Sequence, residues 1–221
     1  MKQILFDLDG TLTDSGEGII HCAQETLAHY GLPVPPKEEL RVIVGPPLRQ
    51  SFIRFGIRPE DTEGAVEVYR KHYVHHGRYE NYPYPGIEAL LRQLKEDGHK
   101  LYVATSKPEA MSIEILTYFG LAQYFDIICG STPDQSRDTK AKVIAHLLSQ
   151  ITALPGQMVM IGDTVYDVEG ANALNIPCIG VSWGYGTVED MTQAGVAAIT
   201  NTMEELLELL DGQMSVLQSQ N

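Results

Sequence analysis

Ile4-Leu5-Phe6-Asp7-Leu8-Asp9-Gly10-Thr11 opens the chain with an apolar run that breaks into two aspartates and a glycine. Consecutive rather than alternating apolar residues suit a strand buried on both faces, as in a parallel sheet. Similar runs recur at Leu101 to Ala104, Phe125 to Cys129, Met158 to Ile161 and Ile176 to Val181. Helix-spaced apolar residues lie between them: Ile87, Leu90, Leu91 and Leu94 before Gly98; Ile113, Ile115, Leu116 and Phe119 before Gly120; Val143, Ile144, Leu147 and Leu148; Val168, Ala171 and Leu174. Alternating strand and helix predict an α/β fold, a Rossmann-like doubly wound parallel sheet with helices on both faces.

The alternation breaks once. From Asp14 to Tyr84 the pattern is helical with no convincing strand, so we expect an inserted all-helical module over 14–84 and a core made of 1–13 and 85–221. Glycines and prolines at Gly31-Leu-Pro, Gly45-Pro46-Pro47 and Gly56-Ile-Arg-Pro59 divide the module into helices at roughly 17 to 30, 37 to 44, 46 to 55 and 60 to 80. The segment Tyr82-Pro-Tyr-Pro-Gly86 marks its exit, and the polar tail after Asp211 is expected to fray.

The 221 residues carry 16 Lys+Arg against 29 Asp+Glu, a formal net charge of −13, and are 43% hydrophobic. Disorder is excluded, and the acidic balance argues against a nucleic-acid polymer or an anionic membrane as partner. Positive charge is local: Lys37 to Tyr84 holds eight basic and seven acidic residues, so the module is the likelier host of an anion-binding surface. Cys22, Cys129 and Cys178 form no C-x-x-C pair, which suits a reducing, cytoplasmic setting. No apolar run approaches 18 residues, and no partner-binding helix is evident.

Four aspartates follow predicted strands: Asp7 and Asp9 the first, Asp163 and Asp167 the one ending Ile161-Gly162. In open parallel sheets ligands bind at these carboxyl ends, beside the switch point of strand order. Asp163 and Asp167 have the i, i+4 spacing of one helix face, and helix capping is the alternative use for such a pair. Each pair of carboxylates near 4 Å costs on the order of 4 kcal/mol at an effective dielectric of about 20. A hard divalent cation relieves that repulsion, and Mg²⁺ suits an all-oxygen set that also meets a phosphate.

Asp7-Leu-Asp9-Gly-Thr11, Thr105-Ser106-Lys107, Lys140 and Gly162-Asp163-Thr-Val-Tyr-Asp167 together resemble the four ordered motifs of the haloacid dehalogenase superfamily of phosphatases. Val44-Gly-Pro-Pro-Leu48, Ala104-Thr-Ser-Lys-Pro108 and Trp183-Gly-Tyr-Gly186 look like its phosphoglycolate phosphatase branch, and the module looks like a cap placed after the first motif. The resemblance implies that Asp7 is the nucleophile that forms an aspartyl-phosphate and that Asp9 is the general acid and base. It implies that Thr105 and the backbone N–H of Ser106 hold phosphoryl oxygens, and that Lys140 neutralises charge. Asp7, Asp9 through its backbone carbonyl, and Asp163 would hold Mg²⁺, with Asp167 in support. The implied substrate is a small phosphorylated metabolite, phosphoglycolate first.

Lys142 competes with Lys140 for the third motif, whereas Lys107 reads as a solvated lysine at a helix start. Arg49 could reach a substrate carboxylate or distal phosphate through its bidentate fork. His72, His75 and His76 read as solvent or cleft residues of the module with no ligand set nearby. Gly184-Tyr-Gly186 reads as a loop flanking the site, with Trp183 and Tyr185 packing there. A 5′-nucleotidase is the main rival activity. A sugar phosphomutase is disfavoured because Ile19 stands where its cap histidine belongs and His21 is off register. A phospho-accepting signalling receiver needs neither Asp9 nor a seventy-residue insertion.

Overall fold

The structure, a computed structural model, describes residues 1–134, 136–152 and 156–212. Two compact units are present, Met1–Leu12 with the chain from Pro83 onward, and Thr13–Tyr82. In chain order the elements are β1 (Gln3–Phe6), β2 (Thr13–Asp14), α1 (Gly16–His29), α2 (Lys37–Leu40), α3 (Leu48–Arg54), α4 (Thr62–His75), β3 (Tyr82–Pro83), α5 (Ile87–Glu96) and β4 (Lys100–Pro108). These are followed by α6 (Glu109–Tyr118), β5 (Ile127–Ser131), α7 (Lys140–Leu148), β6 (Met158–Gly162), α8 (Val165–Asn172), β7 (Cys178–Val181), α9 (Val188–Gln193), β8 (Ala198–Thr200) and α10 (Met203–Gly212).

The first unit is a doubly wound sheet in the order β5-β4-β1-β6-β7-β8, and its neighbouring strands pair in parallel. Ile4 and Phe6 enter one core layer with Leu90, Leu94 and Leu206, whereas Leu5 enters the other with Val143, Ile144 and Val168. Because successive strand residues point to opposite faces, and helices cover both, β1 is buried at every position and apolar from Ile4 to Phe6. Phe6 pairs in register with Val103 on one side and Ile161 on the other. The residues just beyond these three, where strand order reverses about β1, therefore share one edge of the sheet.

Three details differ from the sequence pattern. The sheet has a sixth strand, β8, whose three residues are too few for a periodic signal. The β4–β5 register shifts between Ala104 and Pro108, and β4 continues through Lys107 right up to the start of α6, whose N-cap is Pro108. Asp163 precedes α8, which begins at Val165 after its N-cap Thr164, so Asp163 and Asp167 are not neighbours on a helix face.

The second unit is helical. The expected helix at 37 to 44 divides into α2 and a 3₁₀ turn, Arg41–Ile43. The helix expected from 46 starts only at Leu48, because Pro47 directs Pro46 out of the helical region and lacks a donor itself. The last stops at His75 rather than 80, and a 3₁₀ turn, Gly77–Tyr79, follows. That turn lies backbone to backbone against α1: a Cβ on Gly18 would strike the Gly77 carbonyl, and the Gly18 N–H donates to the Glu80 carbonyl at 3.2 Å. Phe52, Tyr69 and Tyr73 are the aromatic core of this unit. The tail from 213 onward, expected to fray, lies outside the described residues. Among the described residues no helix is long and apolar enough to cross a membrane.

Candidate active site

Asp7 is the first residue beyond β1, and its N–H continues the ladder to the Ile161 carbonyl at 2.9 Å. Its Oδ1 accepts from the Leu8 N–H at 2.7 Å and meets Lys140 Nζ at 2.8 Å. Thr105, almost without exposure, accepts from the Lys107 N–H at 3.2 Å, and its hydroxyl beside Asp7 favours the ionised carboxylate. Gly10 turns the chain with φ of +81°, and a Cβ there would collide with the Asp163 carboxylate.

Lys140 is the first residue of α7, whose N-cap Thr139 accepts from the Lys142 N–H. Besides Asp7, its ammonium meets Asp167 Oδ1 at 2.7 Å and donates to the Ala104 carbonyl at 3.0 Å. The buried ammonium is thus met by two carboxylates and a carbonyl, the compensation that its burial requires. Lys142 turns outward to Asp138 at 2.7 Å, so Lys140 alone of these two lysines reaches the cluster. Asp167 serves twice: Oδ2 takes the Thr164 N–H at 3.0 Å and its hydroxyl at 2.8 Å in a capping box, while Oδ1 faces Lys140. The capping alternative therefore holds for Asp167 and for Asp167 only.

Asp163 has no exposure and is fixed from two sides: the Thr11 hydroxyl donates to Oδ1 at 3.1 Å, the Tyr185 N–H to Oδ2 at 2.8 Å. The loop bearing Tyr185 comes so close that a Cβ on Gly184 would overlap the Asp163 carboxylate, and one on Gly186 its carbonyl. Trp183 Nε1 donates to the Thr11 carbonyl at 3.2 Å, which ties this loop to the first one.

Carboxylate oxygens of Asp7, Asp163 and Asp167 all lie within 4.8 Å of one another. Burial, reinforced by Asp167, pushes Asp7 up to about 7 against the pull of Lys140. Burial, then Asp167 and Asp7, likewise raises Asp163 well above the carboxylate range. For Lys140 burial acts downward, but Asp167 and Asp7 outweigh it and hold the ammonium charged. When all three carboxylates are ionised, the single ammonium leaves two negative charges, which a divalent cation on this all-oxygen set would balance.

Asp9 stands apart from these three. Its two carboxylate oxygens meet Lys107 Nζ at 3.0 and 2.9 Å, and the Lys107 side chain is 5% exposed. Solvation of Lys107, expected from its place before Pro108, is thus corrected: the irregular end of β4 turns it inward. Ser106, between Thr105 and Lys107, is exposed. Arg49 sits on α3 in the helical unit and pairs with Glu63. His72 and His76 both meet Glu25, and His21, His76 and Glu80 converge, so the view that no ligand set lies near these histidines is also corrected.

A family model described as haloacid dehalogenase-like hydrolase matches residues 4–181. The chain is similar to the tyrosine-protein kinase PtkA of Mycobacterium tuberculosis, 41% identical over 94% of this chain and 72% of that one. The solved structure of that protein aligns with a TM-score of 0.85, covering 95% of this chain and 98% of the other. A 5′-nucleotidase of Pseudomonas aeruginosa is also 41% identical, over 85% of this chain and 86% of its own length. A phosphoglycolate phosphatase of Aquifex aeolicus is 32% identical over 84% and 86%.

Proposed function

The chain belongs to the haloacid dehalogenase-like hydrolases and is a phosphatase of that family, and from this premise we propose that it hydrolyses a small phosphomonoester through an aspartyl-phosphate on Asp7. The observation that carries this is the pair of buried lysine contacts: Lys140 on Asp7 and Lys107 on Asp9, two residues apart at the switch point.

Leu8 N–H and Lys140 occupy Oδ1 of Asp7, which leaves Oδ2 to attack phosphorus while the substrate P–O bond breaks. Asp9, protonated from solvent, gives that proton to the departing alkoxide; the carboxylate that remains, the form that pairs with Lys107, then takes one from the water that cleaves the acyl phosphate, so one residue serves both steps. Thr105 and the Ser106 N–H hold phosphoryl oxygens, and Lys140 balances the charge shared by Asp7 and the transferring group. Asp7, Asp163 and the Asp9 carbonyl are the proposed Mg²⁺ ligands, with Asp167 in support; bound there, the cation supplies charge neutralisation of the phosphoryl oxygens. We assign residues 14–84 the role of substrate-selecting cap, and to Arg49, once released from Glu63, a contact to the distal anionic group.

Lys107 is a positioning residue for Asp9. Replacing it by Met is expected to lower kcat about 10- to 100-fold with KM little changed, part of the range for general acid–base catalysis, as steady-state kinetics will read. Cation dependence has a definite sign. Because Asp7 is raised from 3.8 to about 7, the folded protein keeps a proton that the unfolded chain releases, so cation-free stability falls as pH rises through that interval. Mg²⁺ favours the charged carboxylates. Its gain in melting temperature should therefore grow between pH 5 and pH 8 and vanish in Asp163→Asn, as thermal melts will show.

Phosphoglycolate is the first substrate proposed. Nucleoside 5′-monophosphates are the second, favoured by the higher identity to the 5′-nucleotidase. Phosphate release from both classes and from sugar phosphates, with Mg²⁺ or chelator, decides between them. A parallel arm with ATP and a tyrosine peptide tests transfer to a protein hydroxyl, the activity named for PtkA. Release from none of the small esters would contradict the proposal.

A further inference from the structure

We propose that His21, His76 and Glu80 form a binding site for a divalent transition metal of the zinc class, within the helical unit and separate from the carboxylate cluster. One ligand atom from each of the three lies within 4.8 Å of the others, a spread that small side-chain rotations close. Glu80 is the common element: His21 Nδ1 is 3.0 Å from both of its oxygens, and His76 Nδ1 is 3.6 Å from Oε1. Two donors on one tetrahedral zinc ion, each at roughly 2.0–2.1 Å, stand about 3.4 Å apart, so these separations bracket the required value.

The state of His76 points to a ligand. Its Nε2 faces Glu25 Oε2 at 2.8 Å, and in the neutral tautomer whose Nε2–H donates to that carboxylate, Nδ1 offers a lone pair. That Nδ1 is buried and has no hydrogen-bond partner. A buried acceptor with nothing to accept is costly, and a metal ion is the partner that a deprotonated imidazole nitrogen beside a carboxylate takes. A carboxylate holding the far nitrogen of a ligating histidine is also the usual outer support of such sites. Glu25 supplies it to His76, and also faces His21 Nε2 at 4.0 Å and His72 Nδ1 at 3.1 Å.

The fold brings these groups together deliberately close. His21 and Glu25 are one turn apart on α1, and His76 and Glu80 flank the Gly77 turn that packs on α1 through Gly18. Cys22 groups with Glu25 and His76, whereas His21, His76 and Glu80 form a group of their own, so the donor set is two nitrogens and a carboxylate. Nitrogen donors prefer zinc-class ions over Mg²⁺, and three protein ligands leave a fourth position for water or an anion. The His21 side chain is 45% exposed, so an ion has a way in.

Equilibrium dialysis of the full chain against Zn²⁺ in a large excess of Mg²⁺ tests this, with Asp163→Asn as a background that removes the other cluster. One Zn²⁺ per chain is expected in both proteins, lost in His76→Gln and in His21→Asn, and weakened about 10- to 100-fold in Glu25→Gln. His75→Gln, outside the set, keeps it. Melting curves report folding of each variant, and Co²⁺ added to the wild type should give the visible absorption of low-coordinate nitrogen and oxygen ligation, independent of any substitution. No Zn²⁺ retained by the wild type, or unchanged binding in folded His21→Asn and His76→Gln, would overturn the site.

Discussion

Asp7→Asn is expected to lower phosphate release by about four to six orders of magnitude, the scale of losing a covalent nucleophile. The amide keeps the shape of the carboxyl and can still meet Lys140 through its oxygen, so packing at the end of β1 survives. Stability should not fall with activity. In the wild type the Asp7 carboxyl is raised to about 7 by burial and by Asp167, and ionising it costs stability at alkaline pH in the absence of cation. The asparagine carries no such cost, so at pH 8 with chelator the variant should melt at or above the wild type. Activity lost with folding intact is the signature of a nucleophile; parallel loss of both would mark Asp7 as structural.

Lys140→Met combines the two effects with the opposite balance. Its ammonium is the cation that joins Asp7, Asp167 and the Ala104 carbonyl in the buried cluster. Removing one partner of a buried ion pair typically costs about 3–5 kcal/mol because the remaining charge is left uncompensated. Asp7 evades part of that cost by taking a proton, so the loss should be smaller at pH 5 than at pH 8. Phosphate release should also fall, by about two to three orders of magnitude, the scale of removing one group that stabilises transition-state charge. Chemical denaturation at both pH values and steady-state kinetics measure the two losses separately. Lys142→Met, which removes only the surface pair with Asp138, should change stability by less than about 1 kcal/mol.

Much of the sheet could be read from sequence because β1, β4 and β6 are buried on both faces and therefore apolar at consecutive positions. β8 could not, since three residues at a sheet edge carry no period. The convergence of Asp7, Asp163 and Asp167 follows from their placement just after adjacent strands, which a parallel register brings level. Their exact use was less legible. Asp167 caps α8 and holds Lys140 at once, and Asp163 lies before the helix rather than on its face.

What escaped the sequence pattern depends on backbone detail or on long range. Lys107 turns inward because the β4–β5 ladder slips between Ala104 and Pro108, and a local slip leaves no mark in composition. Gly184 and Gly186 allow the Trp183 loop to close on Asp163, a need visible only once the two backbones are set side by side. His76 and Glu25 lie half a hundred residues apart in sequence, and only the pairing of α1 with the Gly77 turn brings them together. A histidine-rich helix alone resembles a solvated surface.

The most direct test of the phosphatase chemistry is to quench the Mg²⁺-bound protein with acid during turnover of its best substrate and locate any phosphoryl group by peptide mass spectrometry. A phosphoryl group on Asp7, forming and decaying at rates at least as fast as kcat and trapped in larger amount in Asp9→Asn, is the predicted result. Turnover without label on Asp7, or label on any other residue, would contradict it.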